Sequence, residues 1–203
     1  MFVRTIYATG DPAKLDTAVR ALNTSGRELL EERPGYRGSG VFVDREIGKL
    51  LVSSWWDTEA ERHNSDEVMS ERRAMLLEPF ASTYAVENYE AVVVHSVQPP
   101  RVGGGLRHTR LVFDPLDADL LGDTFRAAVV PRLDALPGLA RVSLLIDRDR
   151  GTGSVGALFL DRASLVASRA GQAAARHEAS AKAHVTVVGL EEFEVVHADA
   201  HLD

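Results

Sequence analysis

The chain has 203 residues, 45% hydrophobic and 26% charged, with a formal net charge of −7 and no cysteine. That length holds one large domain or two small ones, and the composition is ordinary for a soluble globular protein. The acidic balance excludes a protein drawn to nucleic acid or to anionic membrane. The missing cysteine excludes disulfides, thiolate metal sites and a cysteine nucleophile.

No apolar run approaches the roughly 18 residues of a membrane span, and the N-terminus lacks a basic-then-apolar signal pattern, so a cytoplasmic protein is expected. Phe2 to Ala8 is rich in β-branched and aromatic residues and reads as a strand. Asp11-Pro12 starts a helix, with Asp as N-cap and Pro at the first helical position. Leu15, Ala18, Val19, Leu22, Leu29 and Leu30 then form one apolar stripe, weakened at Gly26 and ended by Pro34-Gly35. Gly40 to Asp44 and Lys49 to Trp56 are two strands joined in a hairpin. A second helix is expected from about Thr58 to Glu78, with Thr58 and Glu61 at capping-box spacing and a break expected at Asn64-Ser65. Tyr84 to Val97 is a last extended segment, so the order is strand, helix, strand, strand, helix, strand.

After Gln98-Pro-Pro-Arg-Val-Gly-Gly-Gly105, a linker by composition, the pattern begins again. Asp114-Pro115, Pro137-Gly138, Asp147-Arg148 and Gly151 repeat Asp11-Pro12, Pro34-Gly35, Asp44-Arg45 and Gly48 at an offset of 103. Leu190 to Glu194 then matches Val86 to Glu90 at an offset of 104. Registrations in order at equal spacing mark a tandem duplication: residues 1–97, a linker over 98–105, and a second repeat over 106–203. Pro131, where the first repeat has Glu28, predicts a kink in the second repeat's first helix.

Each repeat is a βαββαβ unit, the ferredoxin-like pattern of a four-stranded antiparallel sheet with both helices on one face. Val41 to Val43, Ala91 to Val94 and Val142 to Ile146 are apolar on both sides, and such strands need cover on both faces. The economical arrangement is an α+β pseudo-dimer, two ferredoxin-like units packed sheet to sheet with a cavity between the sheets. Any homodimer then uses surfaces outside that intrachain interface.

The stretch Trp55-Trp56-Asp57-Thr58-Glu59-Ala60-Glu61-Arg62-His63-Asn64-Ser65 brings two large aromatic rings, a capped helix start and an imidazole to one end of a sheet. A strand ending in Trp, an acidic capped helix start, then Glu-Ala and a His resembles the antibiotic biosynthesis monooxygenase family of dimeric α/β-barrel proteins. The βαββαβ order and length agree over both repeats. The resemblance implies oxidation of a small aromatic, polyketide-like phenol or hydroquinone by molecular oxygen as co-substrate, with no metal, flavin or haem. On that reading Trp55 and Trp56 are wall candidates and His63, with an ordinary pKa near 6.5, takes the phenolic proton. Tyr7, Tyr36, Phe42 and Tyr89 are further candidates for the substrate pocket. In a regular strand the two Trp rings point to opposite faces, so only one can line the cavity, and the spacing to Ala60 favours Trp55. The second repeat has neither Trp nor His over Ala157 to Ser168 and is expected to keep the fold without that site.

Two other readings stand beside this one. Haem-degrading monooxygenases of similar fold use a first-strand Asn, but Arg4-Thr5-Ile6-Tyr7 offers none, and chlorite dismutase-like haem proteins would need His177. The second is a non-catalytic binder of small apolar ligands or a stress-associated protein, since fold does not imply function. His197-Ala-Asp199-Ala-His201 places three metal-ligand types on one face of an extended chain, though terminal segments are disordered by default, and no metal is assigned there.

Overall fold

The computed structural model describes residues 1–81 and 83–202. In the first repeat, β1 (Phe2–Thr9) leads to α1 (Pro12–Ala21), a π-helical turn (Leu22–Gly26) and α2 (Arg27–Glu31). β2 (Tyr36–Asp44), β3 (Lys49–Trp56), α3 (Glu59–Leu77) and β4 (Tyr84–Ser96) follow. The second repeat has β5 (Gly105–Val112), a 3-10 turn, α4 (Ala118–Thr124), a π-helical turn (Phe125–Val129) and α5 (Val130–Asp134). It ends with β6 (Leu139–Asp147), β7 (Thr152–Phe159), α6 (Arg162–Ala167), α7 (Arg169–Lys182) and β8 (Thr186–Ala198). Neighbour by neighbour the eight strands run β1-β3-β2-β8-β5-β7-β6-β4, the order of a closed barrel.

Two compact units share these strands: Met1–Asn88 with Val195–Asp203, and Tyr89–Glu194. The first holds the antiparallel ladders β1–β3 and β3–β2, with Val3 facing Trp55 and Phe42 facing Leu51. The end of the chain runs beside β2, where Asp199 N–H donates to the Ser39 carbonyl and His201 N–H to that of Arg37. Gly38 permits this approach: at φ 125° it forms a bulge, and a Cβ there would lie 2.5 Å from Ala200 Cα. Leu15, Val19, Val43, Leu50, Leu77 and Phe80 form the core on the helix side of this sheet.

The second unit orders its strands β8-β5-β7-β6-β4, with β4 paired to β6 from Glu90 to Ser96. Its core contains Leu121, Phe125, Leu133, Leu144, Phe159 and Leu165.

Local sequence chemistry explains the element ends. Asp11 and Asp114 each accept a hydrogen bond from the N–H two residues on, with proline in the first turn. Gly35 and Gly138 take φ values of 71° and 78°, and their carbonyls accept from Asp57 and Leu160 N–H, fixing where β3 and β7 end. The α3 capping box is complete: Glu61 N–H donates to Thr58 Oγ1 at 3.2 Å and Thr58 N–H to Glu61 Oε2 at 3.0 Å. Thr58→Ala is therefore expected to cost about 1 kcal/mol, read as a melting temperature lower by ~2–4 °C.

Two expectations about helix breaks are corrected. α3 is continuous through Asn64-Ser65, because the Ser65 hydroxyl donates to the Arg62 carbonyl at 2.7 Å within the helix. The break falls instead at Ser168, the equivalent position of the second repeat, between α6 and α7. Pro131 sits in the first turn of α5 after a π-helical turn, but the first repeat makes the same turn at Leu22–Gly26 without proline. The irregularity thus belongs to the repeat, and Pro131 occupies a place where a missing N–H costs nothing.

Candidate functional site

In the first unit a recess opens between the helices and the sheet. Arg4 and Ile6 of β1, Ser39 and Val41 of β2, and Val52 and Ser54 of β3 form its floor. These are alternate residues, as they must be to share one face. Leu22 and Gly26 of the π-helical turn, Arg27 and Leu30 of α2, and Met69, Arg73 and Leu76 of α3 complete it. The void is about 50 Å³, within about 580 Å³ of unfilled space counted out to the mouth. π-helical turns recur at functional sites because the extra residue displaces the side chains around it.

The inward face of α3 is not the apolar stripe that amphipathic packing would supply. Its buried residues are Arg62, Ser65, Met69, Arg73 and Leu77. Arg4, 2% exposed, donates to Ser65 Oγ at 2.9 Å and to the Arg62 carbonyl, and its Nε lies 3.5 Å from Asp66. Arg73 donates to Asp66 Oδ1 at 2.8 Å and stands 5.8 Å from the centre of the Tyr84 ring. Arg4 and Arg73 thus share one carboxylate while Arg62 donates to Glu59 at 3.3 Å, and the Nε atoms of all three arginines are buried without hydrogen-bond partners. Burial, opposed by the Asp66 charge and reinforced by Arg73 and Arg62, lowers the Arg4 pKa to about 10. Burial alone would raise Asp66, but the Arg73 hydrogen bond and the Arg4 charge hold it below the usual carboxylate range. The site is an apolar recess with surplus positive charge, suited to an apolar molecule carrying an anionic oxygen.

The residues singled out in the sequence are distributed over two faces. Trp56, fully buried, points to the helix side; its Nε1 donates to Ser54 Oγ at 3.1 Å and its ring meets Tyr36 edge-on at 5.5 Å. Burial pushes the Tyr36 hydroxyl up to about 12. Trp55, Phe42 and Tyr7 occupy alternate positions on the opposite face, where Tyr7, Leu51 and Phe42 form one cross-strand row. Tyr89 is buried in the second unit. His63 is exposed on α3 and is not part of the recess wall. The recess thus brings together none of the six aromatic candidates and not the imidazole. It is built from Arg4, Arg73, Ser54 and Met69, which sequence reasoning missed; the available signal was a helix stripe at 62, 65, 69 and 73 carrying polar groups.

At the C-terminus His197 Nε2 lies 3.0 Å from Asp199 Oδ2, whose other oxygen accepts from Ser39 N–H. No group of three His, Asp or Glu residues able to hold a metal occurs among the described residues. No helix among them is long and apolar enough to cross a membrane.

Solved structures share this fold. A "putative monooxygenase" of Fusobacterium nucleatum superposes with a TM-score of 0.72 at 10% identity, over 98% of this chain and 94% of that one. An anthrone oxidase-like protein gives 0.70 at 14% identity, over 97% and 91%. A haem-degrading enzyme of Listeria monocytogenes gives 0.56 at 6% identity, over 96% and 99%. At these identities the likeness establishes the fold alone: an α/β barrel with two units in one chain.

Among proteins of known sequence, the chain is similar to two uncharacterized proteins of Mycobacterium tuberculosis (strain H37Rv). Rv2557 is 28% identical over 147 residues, 71% of this chain and 65% of that protein. Rv2558 is 29% identical over 151 residues, 72% of this chain and 62% of that protein. The chain therefore spans less than two thirds of the length of these relatives. No protein-family model matches it.

Proposed function

We propose that this protein is a cofactor-independent monooxygenase of a small aromatic phenol or hydroquinone, with the first-unit recess as its site. The observation that supports the reading most is the pair of buried guanidiniums, Arg4 and Arg73, set in a largely apolar wall that also holds Arg27, Ser39 and Ser54. Oxidation by molecular oxygen without a cofactor draws every electron from the substrate. A ring C–H becomes a C=O: that carbon gains one oxygen atom and loses its hydrogen, and the phenolic O–H loses its hydrogen as well. The product is a quinone, and the second oxygen atom leaves with both hydrogens as water. The electron-rich form is the phenolate, and an adjacent guanidinium favours it by lowering the phenol pKa. Preorganised positive charge at a developing oxyanion contributes on the order of 10²–10³ in rate per donor. A ring exceeds the void, so Met69 and Leu76 must give way; the unbranched thioether of Met69 does so at low cost.

Haem does not fit this recess. Its wall contains no imidazole, thiolate or phenol to serve as an axial ligand, and its void is about 50 Å³. A non-catalytic binder of small apolar ligands is the second reading, favoured by the same apolar wall.

The test is oxygen uptake over a panel of phenols and hydroquinones, with thermal melting as a check on folding. Arg73→Met is expected to lower kcat/KM by roughly 10²-fold, whereas His63→Ala stays within about twofold, as exposed substitutions do. Turnover that survives Arg73→Met but falls with His63→Ala would return the base to His63. If no phenol drives oxygen uptake while apolar ligands raise the melting temperature, the binding reading holds.

A further inference from the structure

The second repeat, which has neither Trp nor His over Ala157 to Ser168, keeps the recess. Its wall includes Thr109, Phe125, Val129, Leu133, Val155 and Ala179, and several of these stand at an offset of 103 from first-repeat wall residues, as Phe125 does from Leu22 and Val155 from Val52. The two buried arginines are also repeated: Arg107 stands for Arg4 and Arg176 for Arg73.

What changes is the counter-charge. Asp66, which holds Arg73 in the first repeat, is replaced at the same offset by Arg169. Arg107 and Arg169 both take Glu192 of β8 as their carboxylate. Arg176 is left half-buried on the recess wall, with no hydrogen bond or ion pair to any described residue. Burial, and then the Arg107 charge, lower its pKa. A guanidinium in that position lacks the bidentate partner its fork geometry matches.

We infer that the second-repeat recess is a binding site for a short-chain aliphatic carboxylate, with the chain in the apolar void and the carboxylate on Arg176. The wall selects the aliphatic class, around a void of about 60 Å³. Where the first recess has Met69 to give way to a ring, this one has the buried Gln172, held by its hydrogen bond to Ser168, so a thin flexible chain enters in place of a ring. Gln172, whose amide donates to Ser168 Oγ at 2.7 Å, is a further polar group on the wall. The inference does not rest on the proposed oxygenase activity.

Calorimetric titration of the full chain with sodium hexanoate tests it, against hexan-1-ol and methyl hexanoate, with methyl NMR to locate the ligand. Hexanoate is expected to bind and to shift the Val129, Leu133 and Val155 methyls, while the uncharged analogues bind at least tenfold more weakly. Arg176→Gln should weaken hexanoate by about ten- to a hundredfold, the worth of a charged hydrogen bond, and Arg176→Lys should recover part of it. Ala179→Leu, which fills the void without touching charge, should also abolish binding with the melting temperature kept. No binding by the wild type, equal binding of methyl hexanoate, shifts confined to the first unit, or unchanged affinity in a folded Arg176→Gln protein would each overturn the assignment.

Discussion

Trp56→Ala is expected to destabilise the protein by about 3–5 kcal/mol, the usual cost of emptying a fully buried aromatic site. In a chain of this length that lowers the melting temperature by ~6–20 °C. Trp56 is fully buried and pairs across the sheet with both Phe2 and Tyr36. Its removal leaves a cavity beside the Tyr36 ring and frees the Ser54 hydroxyl that its Nε1 holds. Trp56→Phe separates the two effects: it keeps most of the ring and loses the N–H bond, which is worth about 1 kcal/mol. Urea unfolding of both variants measures the difference. A Trp56→Ala protein that melts within ~2 °C of wild type would show that the ring is not core. The experiment also bears on function, because Ser54 lies on the recess floor and Trp56 positions its hydroxyl from behind.

How much of this was legible in the sequence differs by level. The repeat and the element order were, because Asp-Pro, Pro-Gly and the capping box are local signals whose chemistry acts within a few residues. The π-helical turns were not, since Leu22–Gly26 and Phe125–Val129 share no residue type that would mark them. The inward face of α3 was not legible for a physical reason: arginine and aspartate default to solvent, so their burial depends on a partner far off in the sequence. Arg4 is that partner, 61 residues from Ser65. Once position 62 faces inward, position 63 is rotated about 100° away on the helix, which puts His63 at the surface. The aromatic residues drew attention through size, but most of them fill structure on one face or the other.

Glu192→Gln is expected to cost about 3–5 kcal/mol, as removing one partner of a buried ion pair does. Arg107 is 3% exposed and Glu192 is its only ion-pair partner among the described residues; Arg169 donates to the same carboxylate at 2.6 and 3.1 Å. The amide keeps the shape and cannot neutralise the two guanidiniums. The hydrogen bond from Arg169, opposed by burial and aided by Arg107, lowers the Glu192 pKa from 4.5 to about 2. A carboxylate depressed on folding contributes stability that is fully present above its unfolded pKa and is lost as pH falls through its folded one. The stability gap between wild type and Glu192→Gln should therefore be constant near neutrality, begin to close below about 4.5 and vanish toward about 2. Thermal melts of both proteins from neutral pH down to about pH 3 follow that closure. A gap independent of pH over this range would mean that Glu192 acts through packing. A closure in step with ordinary carboxylates, complete near pH 4, would mean that Arg107 and Arg169 do not hold its charge. The same variant separates the two repeats. In the first, the strand arginine takes its carboxylate from the helix, at Asp66; in the second it takes it from the strand, at Glu192. That exchange leaves the helix arginine paired in one recess and unpaired in the other, so losing Glu192 should destabilise the second unit while the Arg4–Asp66–Arg73 cluster stays intact.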